Sequence, residues 1–150
     1  MEKIGWLALA GFGVPGVVFA QASTAPVAAG IQATVTGLRS ARGFVDVALY
    51  SNPSRWPEED GSITSCRARI QNGQATCTLT GRLAQGGWYA IAFTHDENAN
   101  GRFDTNFIGL PQEGYGFSND AHPVLSAPSF NACRFRYAGG LQPVRMRVQY

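Results

Sequence analysis

The chain has 150 residues, of which 45% are apolar and 15% charged, and it carries 18 Gly and 8 Pro. This length suits one domain, and the apolar content excludes disorder throughout the chain. The formal charge of +2, from 12 Lys+Arg against 10 Asp+Glu, is too small to indicate nucleic-acid binding.

Residues 1–20 have the composition of a secretory signal peptide. Lys3 lies in a short n-region, and the run Ile4–Ala20 that follows carries no charge. An N-terminal membrane anchor is the alternative, but the run contains glycines and a proline and is about the minimum that spans a bilayer. We therefore expect cleavage after Ala20 and a periplasmic or secreted chain. A flexible tail over residues 21–30 and one domain over 31–150, with no membrane span, would follow.

Alternating apolar and polar residues predict strands along the rest of the chain. Seven segments carry such a pattern or an apolar run: Ile31–Thr36, Phe44–Tyr50, Ser65–Ile70, Ala75–Leu79, Trp88–Thr94, Phe130–Tyr137 and Val144–Tyr150. The apolar run Trp88–Thr94 indicates a central strand that is buried on both faces. The pattern predicts an all-β fold with no helix, an antiparallel β-sandwich of about seven strands, immunoglobulin-like or transthyretin-like.

The cysteines number three, so one is left over if two of them pair. Cys66 and Cys77 flank an Asn72-Gly73 turn, the strongest short hairpin signal, and they share an inward parity. In a two-residue hairpin they are diagonal neighbours about 7–8 Å apart, beyond the usual reach of a disulfide. A bond between them therefore requires a shifted register. Cys133 is predicted to be a buried thiol.

A long segment of Asn, Asp, Gly and Pro, residues 95–129, separates two predicted strands, and long ordered loops are usually functional. Its first part places oxygen-bearing side chains at relative positions 1, 3, 5 and 9 and Gly101 at position 6, as in the first part of an EF-hand calcium loop. The candidate ligands are Asp96, Asn98, Asn100 and Asp104, with the backbone carbonyl of Arg102.

The match to a calcium loop is incomplete, because position 12 is Phe107 rather than a bidentate Glu. The missing carboxylate would come from Glu97, Glu113 or Asp120. Asn at positions 3 and 5 lowers the ligand charge, so we expect weak Ca²⁺ binding, roughly 10⁻⁴–10⁻³ M. The alternative is an Asn- and Gly-rich turn that is held by Asx-type hydrogen bonds without a metal ion.

The segments that carry this loop resemble a family of secreted bacterial proteins known only as a domain of unknown function. The resemblance lies in His95–Gly109, Pro111–Asn119 and Pro128–Phe130, and it extends to Val35–Leu38 and Gly43–Tyr50. It covers about residues 31–150. It implies a small exported β-sandwich, and it brings no established activity and no known catalytic residues.

Two further features of the loop bear on function. His95 adjoins the acidic loop and would serve an envelope hydrolase as general base, together with Asp96, Asp104 or Glu113. Tyr115 is an aromatic residue near Asn and Asp side chains, an arrangement that suits stacking on a sugar or capping of the sandwich.

A hairpin formed by the last two predicted strands would place four arginines on one outward face. Its register sets Arg136 opposite Arg145 and Arg134 opposite Arg147. Because like charges that face each other destabilise a sheet, such a cluster calls for an anionic partner: acidic envelope polysaccharide, a lipid headgroup or another protein.

The sequence thus favours an exported, non-catalytic β-sandwich that binds an unidentified ligand and holds a structural calcium ion in its long loop. The envelope hydrolase is the first alternative. A purely structural component of the envelope is the second.

Overall fold

A computed structural model describes residues 28–150, and these form two packed β-sheets. The predicted signal peptide, residues 1–20, and residues 21–27 of the predicted tail lie outside the described residues. The eight strands are β1 (Gly30–Thr36), β2 (Phe44–Tyr50), β3 (Thr64–Ala68), β4 (Gln74–Leu79), β5 (Trp88–Asp96), β6 (Gly114–Phe117), β7 (Phe135–Arg136) and β8 (Leu141–Arg147). One α-helical turn, α1 (Phe130–Cys133), and three 3₁₀ turns, Pro53–Arg55, Glu59–Gly61 and Ser118–Asp120, lie between them.

The first sheet has the order β4-β1-β8, and the second has the order β3-β2-β5-β6. All pairings are antiparallel except that of β1 with β8, which is parallel. The short β7 pairs with the first residues of β5 on the edge that β6 occupies farther along. The predicted all-β sandwich is confirmed.

Apolar side chains from both sheets fill the space between them. The fully buried members are Ile31, Ala33, Val35, Val45, Leu49, Leu79 and Ile91. A second cluster lies on the other face of β5, where Ala90 packs with Phe117, Phe130 and Cys133. Because successive residues of β5 serve the two clusters in turn, this strand is buried on both faces, as its apolar run predicts.

The prediction of one strand over residues 130–137 is wrong. Pro128 and Ser129 precede a helical turn, and the Ser129 hydroxyl accepts the N–H of Ala132 at 3.2 Å, which caps this turn. Only Phe135–Arg136 is a strand, and it pairs with β5.

The predicted hairpin of the last two strands is also wrong. Gly139 and Gly140, both at positive φ, turn the chain into the other sheet, where β8 runs parallel to β1. Arg145 therefore lies opposite Thr34 on β1, not opposite Arg136. The register that stacks four arginines on one face does not exist.

The Asn72-Gly73 turn is present, but the hairpin ends after one bridge, between Gln71 and Gln74. Beyond that bridge β3 and β4 belong to different sheets. Cys66 and Cys77 face each other across the sandwich and form a disulfide, with 6.4 Å between their Cα atoms. The bond thus needs no shifted hairpin register, because it links the two sheets.

Candidate functional site

The long loop between β5 and β6, residues 97–113, begins at a buried carboxylate. Asp96 is 1% exposed, and its Oδ1 accepts the N–H of Asn100 at 3.1 Å while its Oδ2 accepts the N–H of Gly101 at 2.8 Å. Gly101 has φ +74°, a conformation that costs glycine little and other residues more. The chain therefore wraps around Asp96, with Gly101 at the turn that its position in the calcium-loop pattern requires.

Three of the candidate ligands touch one another above this turn. The side-chain amides of Asn98 and Asn100 donate to Asp104 Oδ2 at 2.6 and 2.8 Å. Their carbonyl oxygens accept backbone N–H groups two residues on, from Asn100 at 3.0 Å and from Arg102 at 2.8 Å. These are Asx turns. The loop is thus held by hydrogen bonds between its own polar groups. This is the arrangement expected for an Asn- and Gly-rich turn without a metal ion.

Glu113 completes the base of the loop. Its side chain is buried, and it accepts the N–H groups of Glu97 at 3.1 Å and Asp104 at 3.2 Å. The other two acids considered for the missing carboxylate are engaged elsewhere: Glu97 binds Arg39 at 2.7 Å, and Asp120 accepts the N–H of Arg147 at 2.7 Å. Of the three, Glu113 is the one that is hydrogen-bonded to a candidate ligand, Asp104.

The donor set fits a hard cation by its chemistry, since carboxylate, amide and backbone carbonyl oxygens are the ligands of Ca²⁺. Two features oppose tight binding. The amide N–H groups of Asn98 and Asn100, not their oxygens, face Asp104, so both amides would have to rotate. Arg67 also lies 3.4 Å from Asp96 Oδ2. Within residues 28–150, no three His, Cys, Asp or Glu side chains are grouped to hold an ion.

His95 is buried and is not accessible to a substrate in the solvent. It is 0% exposed, its Nε2 lies 2.9 Å from the carbonyl oxygen of Arg42, and its Nδ1 lies 2.7 Å from the Tyr150 hydroxyl. A carbonyl oxygen only accepts, so Nε2 carries the hydrogen and Nδ1 accepts from Tyr150. Both ring nitrogens are therefore occupied, and the geometry gives the hydrolase alternative no accessible base at this residue.

A family model described as "Uncharacterized protein conserved in bacteria (DUF2141)" matches residues 33–145. The chain belongs to this family. The resemblance expected from the loop is therefore confirmed at the level of the family, and the match spans all eight strands in whole or in part. No curated protein and no solved structure matches the chain. Membership in DUF2141 brings a shared domain and no activity, so function has to be argued from the site.

The remaining candidate residues of this DUF2141 domain do not form one cluster. Arg134 and Arg136 stack over the ring of Trp88, with 4.3 and 5.0 Å between guanidinium carbon and ring centroid. Arg145 and Arg147 lie on β8, in the other sheet. Tyr115 is half-buried, with ring centroids 5.9 Å from Phe103 and 6.2 Å from Phe117, so it packs within an aromatic row.

One feature of the loop escaped sequence analysis. Phe107, Ile108 and Leu110 are 99%, 64% and 56% exposed at the far turn of the loop, and they are here called the apolar tip. Asn106 builds this turn, because its side-chain oxygen accepts the N–H groups of Ile108 at 3.1 Å and Leu110 at 2.9 Å. A short apolar run after an Asx-forming Asn, inside a polar loop, was the available signal.

Within residues 28–150, no helix has both the length and the apolar character to cross a bilayer.

Proposed function

We propose that the chain is an exported, non-catalytic binding module of the bacterial envelope, whose β5–β6 loop holds a weakly bound structural Ca²⁺ and presents the apolar tip to a partner. The observation that carries the proposal is the combination of order and exposure in this loop. Asp96 and Glu113 fix its base through four backbone hydrogen bonds, yet its far turn leaves large apolar side chains uncovered. A fixed loop with an exposed apolar end is typical of a binding surface.

Calcium would act by replacing hydrogen bonds within the loop. The ligands would be Asp96, Asn98, Asn100 and Asp104, with the carbonyl oxygen of Arg102. Rotation of the two amides would turn their oxygens toward the ion in place of the N–H groups that now face Asp104. Because this exchange and the nearby Arg67 both cost binding energy, we expect the weak extracellular range, roughly 10⁻⁴–10⁻³ M.

Thermal unfolding with and without calcium tests whether the loop binds Ca²⁺. With a chelator replaced by several millimolar Ca²⁺, the melting temperature of the protein is expected to rise by a few degrees, because an ion that binds only the folded state stabilises it. Asp104→Asn removes one ligand charge with little change in shape and should abolish the rise. Asp60→Asn, at an exposed acid outside the loop, is the matched control and should keep it. An unchanged melting temperature for the wild type would reduce the loop to a metal-free turn.

Export is tested by the mass of the protein recovered from the periplasm or medium of expressing cells. We expect the chain to lack residues 1–20, with Ala22 as the second candidate cleavage point. An intact chain that fractionates with the membranes would favour the N-terminal anchor instead.

Three partner classes follow from the sequence: acidic polysaccharide, a lipid headgroup and another protein. A polysaccharide is matched by hydroxyl, amide and charged groups, which the apolar tip lacks. The tip favours a partner with an apolar interior. A purely structural role in the envelope would not explain why these apolar side chains are exposed.

A further inference from the structure

We propose that the apolar tip docks the domain onto an anionic phospholipid bilayer, with Phe107, Ile108 and Leu110 entering the boundary between headgroups and acyl chains. This inference rests on the proposed function, because it names the partner of the same loop. It is carried by three observations: the uncovered apolar side chains of the tip, the hydrogen bonds of its backbone N–H groups and the exposed Arg102 that precedes it.

The tip presents three large apolar side chains to the solvent. Phe107 and Ile108 are adjacent, and Leu110 follows after Gly109, which has φ +82° and turns the chain back. The tip is thus a convex turn, not a groove. A convex apolar projection suits insertion into a fluid surface, because it needs no pocket of matching shape.

Three of the four backbone N–H groups of residues 107–110 are hydrogen-bonded within the turn. Besides the two N–H groups that Asn106 accepts through its side chain, the Asn106 N–H donates to the Leu110 carbonyl at 2.8 Å and the Gly109 N–H donates to the Asn106 carbonyl at 2.9 Å. Pro111 has no N–H to satisfy. A peptide group that enters lipid without a hydrogen-bond partner pays a large desolvation cost. The N–H groups of Ile108, Gly109 and Leu110 can therefore leave water with little of that cost.

One exposed cation, Arg102, lies close to the tip in sequence. Residues 105–112 contain no charged side chain. The carboxylates nearest in sequence, of Asp104 and Glu113, each accept two hydrogen bonds from the loop. Arg102 precedes the tip, is exposed, and makes no ion pair with any described residue. An exposed Arg without an ion pair is available to an anionic headgroup while the apolar side chains that follow it enter the membrane.

Vesicle co-sedimentation of the exported protein tests the proposal, with vesicles of equal parts phosphatidylethanolamine and phosphatidylglycerol. The wild type is expected to sediment with them, and added salt should weaken the binding. The double variant Phe107→Ser with Ile108→Ser should need at least about tenfold more lipid. The matched control is Val124→Ser with Leu125→Ser, which removes two other side chains that are 90% and 99% exposed. It should bind like the wild type.

A fluorescent reporter locates the contact. Phe107→Trp adds an indole at the tip, and its emission should shift to the blue with vesicles and be quenched by lipids brominated on the acyl chain. Three results would overturn the proposal: no sedimentation of the wild type, an equal loss in the control variant, or no quenching of the introduced indole. The calcium experiment contains no lipid, so its result does not depend on membrane binding. Failure of the membrane assignment and failure of the calcium loop can therefore be distinguished.

Discussion

Glu113 and Asp104 are joined by a hydrogen bond from the Asp104 N–H to Glu113 Oε2, at 3.2 Å. The other oxygen of Glu113 accepts the N–H of Glu97 at 3.1 Å. One buried carboxylate, at the last residue of the loop before β6, therefore ties down the first residue of the loop, Glu97, and its eighth, Asp104. This explains how a loop without a helix or a long strand of its own keeps one shape.

Removal of that carboxylate should destabilise the domain. Glu113→Ala leaves two N–H groups without partners in a buried site, at a cost of roughly 2–4 kcal/mol in the free energy of unfolding. Glu113→Gln retains one acceptor oxygen and should cost about half as much. Urea unfolding of both variants measures the effect. Glu59→Ala, at an exposed acid that makes no ion pair within residues 28–150, is the control and should change stability by less than about 0.5 kcal/mol. Equal stability of Glu113→Ala and the wild type would contradict the assignment.

The inter-sheet disulfide should contribute strongly to stability. Cys66 and Cys77 are 11 residues apart in sequence and connect β3 of one sheet with β4 of the other. Closing a loop of this length restricts the unfolded chain and contributes about 3 kcal/mol. Reductant is expected to lower the urea midpoint of the wild type. The double variant Cys66→Ser with Cys77→Ser should start near that lower midpoint, and reductant should not move it further. If reductant left the urea midpoint of the wild type unchanged, this would argue against the disulfide.

Sequence patterns located the strands whose apolar and polar residues alternate regularly, and they missed β6, whose glycines are required by close packing. β1, β2, β4 and β8 alternate with period two, which is a local property that the sequence carries. β6 contains Gly114 and Gly116, which are typical of loops. A Cβ on Gly116 would lie 2.4 Å from the Phe93 ring, and one on Gly114 would lie 2.6 Å from the Tyr150 ring. These glycines are required by neighbours far away in sequence, and no local pattern reveals them.

Strand pairing was predicted less well than strand position, for the same reason. Alternation in the last strand, β8, is equally compatible with a hairpin partner and with a parallel partner. The choice of β1 depends on where the chain crosses between sheets, at Gly139 and Gly140. The calcium-loop pattern fared differently, because the side chains around Gly101 interact within the loop. The sequence therefore predicted which residues would gather there, but left open which of Glu97, Glu113 and Asp120 would lie under them.

Cys133 should be inert in the folded protein. It is 0% exposed, and burial raises the pKa of its thiol to about 11. At pH 8 only about a thousandth of such thiols are ionised, and the thiolate is the reactive form. A thiol reagent should modify no cysteine in the native protein, one after unfolding and three after unfolding with reductant. Rapid modification of the native protein, or three thiols without reductant, would contradict the structure.

The raised pKa of Cys133 also gives stability a pH dependence. The folded state holds the thiol proton more tightly than the unfolded chain, whose thiol has the ordinary pKa of 9.0. This contribution is complete below pH 9 and declines as pH rises toward about 11. Urea midpoints measured across that window for the wild type and for Cys133→Ala should converge as pH rises. Parallel curves would mean that the thiol titrates alike in both states.

The hydroxyl of Tyr150 should be needed for folding stability through His95. It donates to His95 Nδ1 at 2.7 Å and accepts the N–H of Arg39 at 3.1 Å, and burial is the main cause that raises the pKa of Tyr150. Tyr150→Phe keeps the ring beneath the Arg39 guanidinium, which lies 4.2 Å from its centroid, and removes only the hydroxyl. The buried His95 nitrogen then has no donor, which costs roughly 1–3 kcal/mol in the free energy of unfolding.

Urea unfolding of Tyr150→Phe measures this cost, and Tyr115→Phe is the matched control, because no hydrogen bond of the Tyr115 hydroxyl is present within residues 28–150. The control should remain within about 0.5 kcal/mol of the wild type. His95→Gln should also unfold more readily, because an amide cannot reach both partners of the imidazole. If His95→Gln instead left stability unchanged while abolishing an activity, His95 would have a catalytic role and not a structural one.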